Sequence, residues 1–446
     1  MIAPQDRLLF WFGMVVLPFA AIGLIIPSAA IPSIIAIGGL FVLVLADALL
    51  TRRSLKGISM EFPQIIYMSK NHEGKIDVYI RNSEVKTRQL RIALAFPKEV
   101  VSTAEDIFLK LHGGDRVSHF HWRCKPIKRG SYFFDKCYIE GLSYFGFWAA
   151  RSALPAGFEI RVYPDLSFER KNMAALFLNR GNFGIHSHRQ VGQGRDFEKL
   201  REYIYGDSYD HIHWKTTAKR GYPITKVFQI EQTQEVYVII DVSRLSGRNV
   251  NIFQEDKNET ILEKFITAAL IMGVAARRQG DLFGILTFSN TIHSFIRAKR
   301  GREHYNNCRE SLYKLQPHIV TPDFDELCAF IGLRLRRRAL LVFLTSIDDP
   351  VLAESFVKNM DLICRKHLVL VNMIKPDGMK PLFSDSDIKS INDIYQNLGG
   401  HVLWHNILEL EKILQRKGVS FSLLNNEKMC SHLISQYMDV KQRQLI

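Results

Sequence analysis

The residues best suited to chemistry in this chain follow a short apolar run. In V-I-I-D-V-S-R-L-S-G, residues 238–247, Asp241, Ser243 and Ser246 share one loop. A carboxylate beside hydroxyls suits a hard divalent cation, above all Mg²⁺, which takes oxygen ligands and keeps several waters. Further oxygens lie in two later stretches, Thr321, Asp323 and Asp325 in one and Thr345, Ser346, Asp348 and Asp349 in the other. The competing expectation, and the preferred one, is a polar strand end whose side chains cap and turn the backbone.

A second dense pattern lies upstream: G-Q-G-R-D-F-E-K-L-R-E-Y-I-Y-G-D-S-Y-D-H-I-H-W-K-T-T-A-K-R-G, residues 192–221. It is not a phosphate loop, because it lacks G-K-[ST] and precedes no strand-to-helix turn of the dinucleotide kind. Asp196, Asp207 and His213 have the chemistry of an acid and a base. No nucleophile or oxyanion hole accompanies them. Asp196, Glu198, Arg201, Glu202, Asp207 and Lys215 interleave with Phe197, Leu200, Tyr203, Ile212 and Trp214. That mixture predicts a seam between domains, apolar residues buried and opposite charges paired. His211 and His213, two alternating histidines, make only a weak metal signal by themselves.

The elements that must position these residues follow from periodicity. From residue 235 onward, apolar strands (236–240, 281–288, 339–344, 367–373, 419–424) alternate with helical stretches (260–278, 303–315, 324–335, 351–366, 408–416), and 293–297 pairs beside the second strand. Such alternation predicts a mainly parallel, doubly wound α/β sheet covered on both faces. Its ligands belong at the carboxyl ends of the strands, where Asp241 falls. Residues 166–234 read as a polar connector without a core of its own. Before it, residues 57–165 are strand-like: 75–80, 89–94 and 118–122 alternate polar with apolar residues, and turn signals at 112–115 and 129–131 separate such runs. A small antiparallel β-sandwich is the economical fold. The glycine and aromatic residues of 141–148 are expected to close its edge.

The first 50 residues differ in kind. Between Leu8 and Leu50 the only charge is Asp47, and Pro27-Ser28 and Pro32-Ser33 interrupt the run. That length fits two spans of roughly 20 residues each, a transmembrane helical hairpin, and is about twice what a cleaved signal peptide needs. Arg7 precedes the run and Arg52, Arg53 and Lys56 follow it, so the positive-inside rule places both ends, and all that follows, in the cytoplasm of an inner-membrane protein.

The bulk composition agrees. The 446 residues are 47% hydrophobic and 23% charged, enough for two or three folded units. A net charge of +14 is accounted for by attraction to anionic lipid beside the hairpin, without nucleic acid. The six cysteines form no C-x-x-C pair, which predicts reduced thiols rather than a zinc or disulfide framework.

Two resemblances complete the reading. A strand ending in D-x-S, a helix, then G-D-L-F-G-I-L-T-F-S at 280–289 and a later acidic loop resemble a von Willebrand factor A domain. The ion site of that family follows D-x-S-x-S and adds a threonine and an aspartate from two other loops. Asp241 and Ser243 match, but Leu245 stands at the third position and Ser246 comes one place late. By position in the fold the remaining two would be Thr321 and Asp348. The ion site is therefore expected to be degenerate, with Mg²⁺ bound weakly or not at all and no other cofactor. The pattern Gly192-x-Gly194-x-Asp196-Phe197-x-x-Leu200-Arg201-x-Tyr203, then Gly206-Asp207, then Ile212-x-Trp214-Lys215, resembles the signature of the DUF58 family. The resemblance implies a two-helix anchor, a β-rich region and a von Willebrand A-like domain over 235–446. It also implies a non-catalytic role beside a MoxR-type AAA+ ATPase in chaperone-like maturation of a client complex. The family tends to place an arginine between Gly206-Asp207 and Ile212, where this chain has Asp210 and His211, so an ion pair built on that arginine is not expected here. The alternative reading is a metal-assisted hydrolase using the Asp241 loop.

Overall fold

The computed structural model describes residues 1–446 apart from 52–53, 84–87, 113–115, 180–190, 230–233, 251–258, 382–383, 385–389 and 444–446, and only the backbone of 88, 175–179, 191–199 and 227–229. Arg52, Arg53 and most of the turn expected at 112–115 fall outside the described residues. The chain divides into two compact units, Met1–Asp165 and Leu166–Ile446.

The first unit opens on a short strand, β1 (Ile2–Pro4). Two helical spans follow, Asp6–Ile25 and Pro27–Thr51, both long and apolar enough to cross a membrane. The first span joins α1 (Asp6–Trp11) to α2 (Leu17–Ile25) through a π-helical stretch, and α3 (Ala30–Thr51) makes up most of the second. Leu24, Ile31, Ile34 and Phe41 point outward from these helices with most of their surface uncovered. In water such a surface would be costly, whereas hydrocarbon solvates it. Asp47 is the exception, being buried, and its Oδ1 accepts a hydrogen bond from Phe145 N at 3.4 Å. Trp148 Nε1 donates to Val44 O at 3.0 Å. The aromatic stretch expected to close the sandwich edge therefore reaches helix α3 as well.

The strands of this unit are β2 (Ile58–Glu61), β3 (Ile65–Ser69), β4 (Gly74–Asn82), β5 (Arg88–Leu94), β6 (Val100–Ser102), β7 (Asp106–Leu111), β8 (Val117–Pro126), β9 (Gly130–Leu142) and β10 (Trp148–Tyr163). They form a four-stranded sheet, β2-β4-β8-β6, and a six-stranded sheet, β1-β10-β9-β5-β7 with β3 also on β10. Alternate residues of both sheets share one core, Ile76, Val78, Ile80 and Trp122 from one and Leu90, Ile92, Phe134, Ile139 and Phe158 from the other. Period-two patterning produces this two-layer solution, because each sheet has one apolar face to hide. One pairing departs from the antiparallel expectation, since β3 runs parallel to β10.

The second unit begins with α4 (Ser167–Asn179), whose Met173 joins the unit's core together with Leu166. The stretch read as a connector is thus partly core. Strand β11 (Val191–Glu202) pairs antiparallel with β12 (Ile224–Gln229), and the short helix α5 (Trp214–Arg220) lies between them in sequence. The main sheet uses β13 (Glu235–Asp241), β16 (Leu282–Phe288), β17 (Ile292–Lys299), β18 (Leu340–Leu344), β19 (Leu368–Ile374) and β20 (Ser420–Leu424). The two-residue strands β14 (Asn249–Val250) and β15 (Glu259–Thr260) pair with each other to one side. Sheet order is β17-β16-β13-β18-β19-β20, all parallel except the edge strand β17.

Helices α6 (Ile261–Arg278), α7 (Arg302–Leu312), α8 (Phe324–Arg334), α9 (Pro350–Cys364), α10 (Ile391–Arg416) and α11 (Met429–Gln442) complete the unit. Residues of α6, α7 and α11 pack in one core with Val236, Val238 and Ile240, and residues of α8, α9 and α10 pack in another with Tyr237 and Ile239. Successive side chains of β13 thus enter opposite layers, which is why that strand reads as a continuous apolar run. Helix α10 begins 17 residues before the expected 408, a Ser390–Asp393 capping box fixing its start. Two glycines and several polar residues mask its first half in the sequence. Helix α11 adds to the expected helices, its Met429, Cys430, Leu433, Ile434 and Tyr437 spaced for one buried face.

Candidate functional site

Strands β13, β16 and β18 end side by side, Ile240 beside Thr287 and Leu344, so the residues that follow gather on one edge of the sheet. Asp241 is fully buried there. Its Oδ1 accepts from Ser243 N at 2.8 Å and its Oδ2 from Thr345 Oγ1 at 2.8 Å. Ser346 N donates to the same carboxyl. Burial pushes this carboxyl above the ordinary carboxylate range, while those donors pull it back.

The other candidates in this loop are turned to the backbone. Ser243 Oγ caps the short 3₁₀ turn from Arg244 to Gly247 by accepting from Leu245 N. Ser246 Oγ donates to Ser243 O at 2.8 Å, and Leu245, at the third position of the ion pattern, is buried in the core. Thr321 stays exposed on the neighbouring loop, which is tied in through Arg244 N to Val320 O and His318 N to Val242 O. Asp348 is engaged by Arg248. The structure thus brings Asp241, Ser243 and Ser246 together, adds Thr345 and directs Asp348 to a cation of the protein. As a donor set for Mg²⁺ the five residues fit poorly: the carboxylate and both serines already serve the backbone or a neighbouring hydroxyl. Asp323 and Asp349 also have other work, since their side chains cap α8 and α9.

A serine–histidine pair stands at the end of β16. Ser289 Oγ lies 2.7 Å from His293 Nε2, and the His293 ring stacks on His318 at 4.3 Å. Burial, then the neighbouring His318, pushes His293 below the ordinary imidazole range. Ser289 is itself buried, so its hydroxyl closes a loop rather than facing a substrate. The buried thiols are equally inert: burial pushes Cys124 up to about 11 and Cys328 up to about 12.

The dense upstream pattern builds a small substructure. Arg201 pairs with Asp207 at 2.6 Å, and Asp207 Oδ2 accepts from Ile204 N at 3.1 Å, closing a turn. Those contacts, the backbone donor first, hold the Asp207 carboxyl below its ordinary range. Gly206 sits at φ +104°, a conformation that an L side chain rarely adopts. His213 caps α5, its Nδ1 accepting from Thr216 N at 3.2 Å. Ile212 is buried and bridges to Thr225.

Other apolar members of the pattern lie at the surface of their own unit. Trp214 is 67% exposed and Leu200 38%, and Lys215 is exposed too. Tyr205 and Tyr209, which the sequence reading did not single out, are 98% and 73% exposed. The signal for them was present, three aromatics within ten residues in a segment too short to enclose them. The backbone of Gly192, Gly194, Asp196 and Phe197 lies in β11, and their side chains fall outside the described residues.

The fold and the edge geometry define a doubly wound α/β domain, preceded in sequence by a β-sandwich and two apolar helices. Residues 199–381 match the model of the DUF58 family, described as a protein of unknown function, so the resemblance read from the sequence holds over that segment. No curated protein matches the chain. Among solved structures, the chain is similar to the SpRpn10 VWA domain, with 11% identity, a TM-score of 0.27 and coverage of 46% of this chain and 95% of that one. It is also similar to proximal thread matrix protein 1 of the mussel byssus, with 9% identity, a TM-score of 0.25 and coverage of 46% and 44%. Over 24% of this chain and 52% of the other it is similar to the YadV chaperone, with 10% identity and a TM-score of 0.17.

Proposed function

We propose that the protein is a membrane-anchored interaction module that docks a MoxR-type AAA+ ATPase and helps it to mature or assemble a client complex. The observation that supports docking is the exposed aromatic group Tyr205, Tyr209 and Trp214, carried on the signature substructure with Lys215 beside it. Tyrosine and tryptophan dominate binding hot spots because a rigid ring offers large contact area at small entropic cost. Here they stand on a turn fixed by the Arg201–Asp207 pair and on a helix capped by His213. In this reading the ATP chemistry belongs to the partner. The two apolar spans hold the event at the inner membrane through its lipids, with both ends in the cytoplasm.

The test is a pull-down from native membranes, with ATP and with a non-hydrolysable analogue, comparing the natural chain with Trp214→Ala and Tyr205→Ala. Recovery of an AAA+ ATPase by the natural chain, weakened by each variant by about 2 kcal/mol or roughly 30-fold, is the expected result. Failure to recover an ATPase under either nucleotide, or equal recovery by the variants, would refute the docking proposal. A topology reporter fused after Ile446 tests the placement separately, and a periplasmic signal would overturn it.

A further inference from the structure

The face of the β-sandwich carries a side-chain cluster that the docking proposal does not use. His119 and His121 are two residues apart on β8 and therefore project from the same face of the sheet. In the antiparallel register with β4, Asp77 stands directly opposite His121, and Tyr79 opposite His119. Cross-strand neighbours of this kind have Cβ atoms about 5 Å apart, close enough for their side chains to share one ligand. They do converge: one ligand atom from each of Asp77, His119 and His121 lies within 4.8 Å of the others. Asp77 Oδ1 is hydrogen-bonded to His121 Nδ1 and lies 3.7 Å from His119 Nε2. The Tyr79 ring packs on His119 at 4.6 Å and limits its rotation. The opposite face of the same strands is core, with Ile76, Val78 and Trp122 fully buried, so the strands that present the cluster are held rigidly.

We propose that Asp77, His119 and His121 bind a divalent cation of the zinc class on this face. Two imidazoles and a carboxylate suit Zn²⁺ and its late first-row neighbours, whereas Mg²⁺ and Ca²⁺ prefer oxygen alone. Tetrahedral ligands about 2.0–2.1 Å from zinc lie roughly 3.4 Å from one another, so small side-chain rotations suffice to close the set. The cation takes the place of the proton between His121 Nδ1 and Asp77: in the neutral ring that proton moves to Nε2, and only a doubly protonated ring releases one to solvent. Three protein ligands leave a further coordination position, and the half-exposed cluster turns it toward solvent, where water or a donor from another molecule completes the shell.

The experiment uses the full chain, purified in detergent without a histidine tag and titrated with ZnCl₂ by calorimetry. One equivalent should bind. His121→Ala should weaken it by at least about tenfold, and His119→Ala/His121→Ala should abolish it. Equal melting temperatures of all chains in chelator would show that the variants fold. Zinc should also protect His119 and His121 of the natural chain from acylation by diethyl pyrocarbonate, read by mass spectrometry, a measurement that needs no variant. Failure of the natural chain to bind zinc, an unchanged titration in the double variant, or acylation of both histidines at the same rate with and without zinc would each overturn the proposal.

Discussion

The buried carboxyl of Asp241 allows its role to be tested by paired substitution. Asp241→Ala strips three buried donors, Ser243 N, Thr345 Oγ1 and Ser346 N, of their acceptor, the first two of which now lie 2.8 Å from it. Each orphaned donor costs about 1–3 kcal/mol, offset in part because a charge no longer has to be buried, so a net loss of about 2–4 kcal/mol is expected. Asp241→Asn keeps an acceptor for Ser243 N and can offer its amide to Thr345 Oγ1, losing chiefly the bond from Ser346 N. Its cost should be about 1 kcal/mol at neutral pH. The pH dependence has a definite sign. Because the folded protein holds the Asp241 proton more firmly than the unfolded chain does, this contribution is fully present below the unfolded carboxylate pKa of about 4 and is lost as the pH rises through the raised folded value. Asp241→Asn removes that loss, so its stability relative to the natural chain should improve as the pH rises from about 4. Urea unfolding of the detergent-solubilised chain, followed across pH with and without Mg²⁺, reads all three quantities. If Asp241→Asn proves as damaging as Asp241→Ala, and Mg²⁺ raises the midpoint of the natural chain alone, the strand-end account is wrong and the carboxylate serves an ion.

Three further outcomes follow from single sites. His367 is buried, and burial, then the neighbouring Lys366, pushes its imidazole down to about 4. Its contribution is therefore present above the unfolded imidazole pKa of about 6.5 and lost as the pH falls toward about 4, so His367→Leu should flatten the acid limb of the same urea series. In α10, a Cβ on Gly400 would sit 2.0 Å from Gly378 O, whereas one on Gly399 would meet nothing within 4 Å. Gly400→Ala should cost about 1–3 kcal/mol and Gly399→Ala should gain up to about 1 kcal/mol; equal melting temperatures for the two would refute the packing account of that helix. Tyr437 donates its hydroxyl to Asp281, which Lys441 also holds at 2.8 Å. Tyr437→Phe should lower stability by about 1 kcal/mol, because the carboxylate keeps its lysine, and a loss several times larger in thermal unfolding would contradict that.

Much of the architecture was legible because burial leaves a periodic trace. The alternation in 75–80 and 118–122 follows from strands with one face in the core, and the unbroken run 236–240 from a strand covered on both. Helix α11 carries the same trace, whereas glycines and polar residues interrupt it in the first half of α10. The site was legible only as a location. Spacing marked the end of β13, but Asp348 and Thr345 are three residues apart, and sequence alone could not decide which would meet Asp241 and which would meet Arg248.

The amino-acid sequence by itself determined the order of the parts, two apolar spans, a strand-rich region and an α/β unit, together with the DUF58-like pattern of 192–215. Those are properties of local composition and period, which the chain carries before it folds. Tertiary structure alone decided which polar groups are occupied and which are free. Pairing in register sets Asp77 across from His121, burial closes the Asp241 carboxyl onto its own backbone and Thr345, and a turn too small to enclose them leaves Tyr205, Tyr209 and Trp214 facing solvent. A side chain's partners depend on strands and loops distant in sequence, and that information exists only once the sheets have formed.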